Sequence, residues 1–344
     1  MPTDRRRVLA AGLAGAAYLA APAIARGATR TLATSSWLPP AHVVPKFVIA
    51  SWAEAVGRAS DGRLAVDLLD KPLGPPPAHL EIAREGRADM VYSLHGYSGP
   101  SAFQRARIGQ FSFLGDSFGA SPAFSQVYGQ DLNAADEHDG IKLLTLFQHG
   151  PGVLFLKSRR LERASDLNGL RIRNSGGYIA QLMQRFGAEP VPLSPFEVGN
   201  ALRDGRIDGV AFPYEAVTSF DFLDEIVQIV EFPGGIYNAT WFLGMNAATY
   251  DSLDDRDRAA IDSVERDILA EIAGKAWDIA DFDGKAKCMT QRVEITRASD
   301  DMIAELKTAA GAAEANWQTE MATQGFDGGV ALERFRKLTS ASTL

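Results

Sequence analysis

The chain has one cysteine, Cys288, in 344 residues. An internal disulfide is therefore excluded, and with it a cysteine cage for a metal or a paired-thiol redox site. Cys288 sits in a mixed-polarity helical stretch with no His or Asp pattern beside it, so it reads as a bystander thiol. Histidine is scarce as well, with five residues at 42, 79, 95, 138 and 149. No H-x-x-x-H, C-x-x-C, G-x-S-x-G or phosphate-loop spacing occurs, so the common metal, nucleophile and nucleotide signatures are all missing. No cofactor or resident metal is expected. A cleft gathering His42, His95 and His149 is the one arrangement that would supply three imidazoles to zinc. Basic charge is also in deficit, with Lys and Arg numbering 35 against 43 Asp and Glu. That balance argues against nucleic acid as a partner.

Long apolar runs are absent apart from Val8 to Ile24, which is rich in Ala and Gly and too short for a good membrane span. Arg5-Arg6-Arg7 precedes it and Ala23-Ile24-Ala25 ends it, so residues 1–25 read as an export signal with an A-x-A cleavage site. The Arg run fits the twin-arginine route and the general secretory route alike. Removing the signal takes the net charge from −8 to −10. The mature chain is expected in the periplasm. At roughly 315 residues it is long enough for two domains, which must rely on their cores because disulfides are excluded.

What is present is an alternation of short strands and helices. Arg30 to Ser36, Leu64 to Leu69, Asp89 to Ser93 and Ile141 to Gln148 read as strands. Pro45 to Ala59, His79 to Glu85 and Pro122 to Asp139 read as helical stretches between them. A second set follows, with strands at Leu154 to Lys157, Leu170 to Arg173 and Gly209 to Ala211 and a helix from Tyr178 to Phe186. This order predicts α/β architecture with parallel sheets covered by helices on both faces. From Asp254 to Lys287 the pattern becomes long, charged and helical, with Ile261, Val264, Ile268, Ile272 and Trp277 in phase. A short strand, Val293 to Ile295, and a helix, Asp301 to Gln324, close the chain. No linker separates the two sets, so the chain is expected to cross between domains more than once.

Four segments then stand in a recognisable order. Ala83 to Val91 and Phe196 to Val210 each give a helix, a Gly-containing turn, an Asp and a short buried strand. Between them lies Gly169-Leu170-Arg171-Ile172-Arg173-Asn174-Ser175-Gly176-Gly177. There an Arg at a strand end faces a helix start, a setting that suits a carboxylate. Met245 to Leu253 gives a later strand-to-helix join. From about Ala33 to residue 335 the chain resembles the solute-binding proteins of tripartite ATP-independent periplasmic (TRAP) transporters, the DctP type. The resemblance implies a two-lobed periplasmic-binding-protein-like fold with crossover strands and a long helix spanning both lobes. Residues 29–151 with 240–280 would form lobe I, and 152–239 with 281–340 would form lobe II. It implies an organic acid in the cleft between the lobes, delivered by a monomeric receptor to the membrane permease subunits.

The pleat alone does not choose between Arg171 and Arg173, which share a strand face. The resemblance assigns the carboxylate to Arg173. It also shows a departure. Where sialic-acid and dicarboxylate members continue D-G-Q-E-N-P, this chain has Asp208-Gly209-Val210-Ala211-Phe212-Pro213-Tyr214. A polar ligand contact is replaced by Phe212. Tyr97 stands where sialic-acid binders carry a charged contact. His95 shares the Gly-rich loop with Tyr97, and Trp37 follows the first strand. His149 lies at a crossover, Tyr214 follows Phe212, and Trp241 is placed just before the second crossover strand. Together these residues suggest a cleft for an aromatic monocarboxylate, such as a hydroxycinnamate, a benzoate-like acid or an aryl 2-oxo acid. Small hydroxy or oxo acids, dicarboxylates and sugar acids are the alternatives within the class. An exported α/β enzyme acting on a carboxylate is the alternative outside it, disfavoured because no nucleophile–base spacing is present.

Overall fold

The computed structural model describes residues 29–99, 101–158 and 160–341. The export signal read at residues 1–25 lies outside the described residues.

The chain first lays down β1 (Arg30–Ser35), β2 (Leu64–Leu68), β3 (Met90–Leu94) and β4 (Ile141–Gln148), with helices α1 (Ala50–Ala59), α2 (His79–Arg84) and α3 (Ser117–Gln126) between them. It crosses over and forms β5 (Val153–Leu156), β6 (Arg171–Asn174), β7 (Glu189–Pro192), β8 (Gly209–Phe212) and β9 (Gln228–Glu231). The helices of this part are α4 (Tyr178–Arg185), α5 (Val198–Arg203) and α6 (Ala216–Ser219). It returns for β10 (Thr240–Asn246), followed by α7 (Ala247–Asp251), α8 (Asp255–Asp262) and the long α9 (Arg266–Thr290). β11 (Glu294–Arg297), α10 (Asp300–Thr323) and α11 (Gly328–Ala341) complete it.

Two sheets result, ordered β2-β1-β3-β10-β4 and β11-β9-β5-β8-β6-β7. In the first, β1 pairs in parallel with β2 and β3, while β10 runs antiparallel between β3 and β4. In the second, β5 is the antiparallel strand, set between β8 and β9. Each lobe thus receives one strand from the far side of a crossover, which ties the two together. β3 and β8 are buried along their whole length, as expected of central strands covered on both faces.

The two helix–turn–Asp–strand segments do the same job in both lobes. Asp89 Oδ2 accepts from the backbone N–H of Ala33 at 2.8 Å, and Asp208 Oδ2 accepts from that of Arg171 at 2.9 Å. Each Asp fastens its own strand to the parallel neighbour.

Long α9 touches both lobes through a matched pair of contacts. A Cβ at Gly274 would lie 2.4 Å from the carbonyl oxygen of Ser117, and one at Gly284 would lie 2.1 Å from that of Tyr214. Asp278 accepts from the N–H groups of Ser117 (2.8 Å) and Phe118 (2.9 Å), and Asp281 accepts from that of Glu215 (2.7 Å). The crossover segments pair with each other nearby: Gly152 N–H donates to Tyr237 O at 2.8 Å and Ile236 N–H to Gly152 O at 3.0 Å. This is a two-stranded hinge with a helical strut beside it.

Several elements differ from the sequence reading. α3 begins at Ser117, not at Pro122, because Asp116 caps it by accepting from Gly119 N–H at 3.0 Å. The stretch after it breaks into separate turns, helped by Asn133 in the left-handed region. Trp241 lies inside β10 rather than before it. α11 packs on α3 of lobe I, with Leu332 and Phe335 buried and Arg334 bonded to Asp131. Within the span expected with lobe II, α11 thus rests on lobe I while β11 stays in the lobe II sheet. Cys288 is buried in α9 against the second lobe's core. Burial pushes its thiol up to about 11, which leaves it unreactive.

Candidate ligand-binding cleft

A narrow cavity of about 40 Å³ lies between the lobes. Arg173 enters it from β6, where pairing with Val191 of β7 and Val210 of β8 makes the strand internal. The Arg173 residue is 1 % exposed. Its Nε–H donates to the carbonyl of Leu193 at 2.9 Å, while Nη1 is buried with no acceptor. No carboxylate stands within ion-pair distance of it among the described residues. The guanidinium lies over the Phe212 ring at 4.3 Å, and Phe220 stacks on Phe212 at 5.7 Å. Phe212 thus has its faces occupied, and it orients the cation more than it offers a ring of its own to a ligand.

The lobe I wall is aromatic. Trp37 and Trp241 stack at 5.7 Å and 9°, Tyr97 tilts against Trp37 at 6.1 Å, and Trp277 of α9 joins Trp241 at 5.9 Å. Their origins are separate: the turn after β1, strand β10, the loop after β3, and the strut helix. The indole N–H groups of Trp37, Trp241 and Trp277 are all buried without an acceptor. Trp317, by contrast, donates to Gln104 O at 2.8 Å. Burial raises the Tyr97 phenol's pKa, with Arg173 pulling it back down, so a neutral hydroxyl faces the guanidinium.

Two imidazoles reach the cleft. His42 accepts from Val44 N–H at Nδ1 (3.2 Å), which puts its proton on Nε2, 3.2 Å from Glu215 Oε1. This contact bridges the lobes. Burial holds His42 down to about 3 and lifts Glu215 to about 7. His149 sits at the hinge, with Nδ1 2.6 Å from the carbonyl of Gly150.

Of the residues singled out in the sequence, the cavity gathers Arg173, Phe212, Tyr97, Trp37, His149 and Trp241. His95 and Tyr214 are not among its lining. His95 points down into lobe I, where Nε2 lies 3.2 Å from His138 Nε2 and the ring packs on Phe103 at 4.9 Å. The β3 strand ends one residue before it, so the side chain turns inward while Tyr97 turns to the cleft. Tyr214 faces the opposite side of lobe II, donating to Glu231 at 3.0 Å. With His95 in the core, the three-imidazole zinc arrangement does not form. No group of three or more His, Cys, Asp or Glu side chains placed to hold a metal occurs among the described residues.

Sequence reasoning missed the His42–Glu215 bridge and the wall formed by Trp277, Tyr237 and Phe220. Trp277 reads as ordinary helix core because its phase matches Ile268 and Ile272. Only a helix known to cross the cleft gives it a second role.

The profile of the DctP family, described as bacterial extracellular solute-binding protein, family 7, matches residues 34–320. A TRAP periplasmic solute-binding protein from Bordetella bronchiseptica, solved with bound (R)- and (S)-mandelate, is 33 % identical. The likeness covers 91 % of this chain and 99 % of that one, with a TM-score of 0.87. A TRAP solute-binding protein from Rhodoferax ferrireducens, solved with copurified benzoate, is 28 % identical over 92 % of this chain and 99 % of that one, TM-score 0.81. A marine metagenome protein from an unidentified microbe, described as specific for aromatic acid ligands and solved with 3-hydroxybenzoate, gives the same 28 %, 92 %, 99 % and 0.81.

Proposed function

From the premise that this chain belongs to the DctP family of TRAP-transporter solute-binding proteins, we propose that its ligand is an aromatic monocarboxylate held by Arg173. Members of the family are periplasmic transport receptors, not enzymes, and they work with membrane permease subunits.

One observation carries the reading. Four buried donors that line the cleft lack an acceptor: Arg173 Nη1 and the indole N–H groups of Trp37, Trp241 and Trp277. A buried guanidinium without a counter-charge is costly, and an anion that enters offsets that cost directly. A carboxylate matches the planar fork and accepts from several donors at once. The flat walls of Trp37, Trp241 and Tyr97 suit an aryl ring, through offset or edge-on contact. The mandelate, benzoate and 3-hydroxybenzoate held by the three relatives support the same class. A second carboxylate would find no unpaired cation here, which disfavours dicarboxylates.

Thermal unfolding of the mature protein against aryl acids, short hydroxy and oxo acids, C4 dicarboxylates and sugar acids tests the reading. A ligand at 100 times its dissociation constant adds about 2.7 kcal/mol of stability, enough to see as a shift. The shift is expected with aryl monocarboxylates. A shift confined to dicarboxylates or sugar acids would reject the aromatic class while keeping the receptor.

A further inference from the structure

His149 is the polar group in the cleft that the carboxylate anchor leaves unused. Its ring is 3 % exposed, lines the cavity, and is held edge-on by Tyr237 at 5.1 Å and tilted to Trp277 at 6.0 Å. Nδ1 lies 2.6 Å from the Gly150 carbonyl, which can only accept, so Nδ1 carries the ring proton. Burial, aided by the positive field of Arg173 and opposed by the bond to Gly150, lowers the imidazole pKa to about 4. At neutral pH the ring therefore carries one proton, and Nε2 is a bare lone pair. No side chain or backbone group donates to Nε2 among the described residues. The other cleft imidazole, His42, faces Glu215 at 3.2 Å.

His149 Nε2 thus gives the cleft an acceptor beside its set of unpaired donors, close enough to Arg173 to feel its charge. Resting on the aryl-acid reading above, we propose that His149 is a specificity-determining residue that accepts a hydrogen bond from a ligand hydroxyl on the carbon next to the carboxylate. The ligand class narrows to 2-hydroxy aryl acids. The carboxylate sits on Arg173, the hydroxyl donates to His149 Nε2, and the ring lies against Trp37 and Trp241. An acid with no donor at that carbon leaves Nε2 desolvated and unpaired, and sites built around a hydrogen bond reject such analogues.

Calorimetric titration of the wild-type protein with mandelate and phenylacetate, which differ only in the 2-hydroxyl, tests this without any variant. Mandelate is expected to bind about tenfold tighter or more. His149→Leu should remove that advantage while still binding phenylacetate, and His149→Gln, which keeps an acceptor, should retain part of it. Equal affinities in the wild type would overturn the inference and leave the aryl-acid reading standing. So would binding of benzoate with neither of the pair. A phenylacetate affinity that climbs steadily on acidification would overturn it differently, by making His149 a cation for the carboxylate. Silence from all three acids would sink the aryl-acid reading as well.

Discussion

Arg171 and Arg173 stand two residues apart on one short strand, and their surroundings are opposite. Arg171 is closed off by Asp208, with Nε–H to Oδ2 at 2.9 Å and Nη2–H to Oδ1 at 2.8 Å, and its side chain is 38 % exposed. Arg173 is buried, donates to one backbone carbonyl and keeps an unpaired Nη1. A bidentate partner supplied by the chain makes an arginine part of the scaffold. A buried arginine with no counter-charge from its own chain is suited to the carboxylate of a ligand, as proposed above. The strand's direction sets the difference. Arg171 lies at its start, beside the Asp that precedes β8, whereas Arg173 lies toward its carboxyl end, where open α/β sheets present their clefts.

Removing the unpaired arginine should have the largest effect. Arg173→Ala is expected to weaken binding of an aryl carboxylate by about 2–5 kcal/mol, with the fold intact by circular dichroism. A smaller loss would move the anchor to another group.

The paired groups of the cleft should respond to pH instead. Glu215 is held near 7 in the folded protein against 4.5 ordinarily, because burial disfavours its charge. The folded state therefore keeps a proton the unfolded chain loses, and stability falls as pH rises from 4.5 through about 7. His42, held down to about 3, has the opposite sense: it costs stability as pH falls from 6.5 toward 3. Glu215→Gln should accordingly raise stability relative to wild type at pH 8, by up to about 3 kcal/mol read from thermal unfolding, and much less at pH 5. An equal effect at both pH values would show that Glu215 does not titrate in this range.

Phe212→Leu keeps the volume roughly and removes the ring beneath Arg173. An affinity loss of about 0.5–2 kcal/mol is expected, read by titration with the same acid. A loss as large as that of Arg173→Ala would mean the ring contacts the ligand itself. Arg171→Ala closes the series: binding should stay within about twofold, because the paired guanidinium takes no part in the site. Only a modest drop in melting temperature should accompany it.

Much of the scaffold was legible in the chain. β1, β2, β4, α4 and α10 fall within a residue or two of the pattern that predicted them, since their apolar periodicity and Gly or Asp boundaries are local signals, whereas the stretch Asp254 to Lys287 breaks into α8 and α9 and α11 went unread. β7 was not, because Glu189-Pro190-Val191-Pro192 carries two prolines and is recognisable only as an edge strand once β6 is beside it. Nor was the return of α11 to lobe I, which depends on a surface of α3 that no local pattern shows. In the cleft, Trp37 and Tyr97 could be named from their places after strands, and Arg173 only through the family resemblance. His95 and Tyr214 were misplaced because adjacent residues in a turn or strand end point to opposite sides, so a one-residue difference separates lining from core. The His42–Glu215 contact joins positions far apart in sequence and becomes visible only once the two lobes are set side by side.

The most direct test is a calorimetric titration of wild type, Arg171→Ala and Arg173→Ala with a single-ring aryl carboxylate such as mandelate. Binding by wild type and Arg171→Ala, with Arg173→Ala folded but silent, is the predicted result. Undiminished binding by Arg173→Ala, or loss of binding in Arg171→Ala alone, would contradict it.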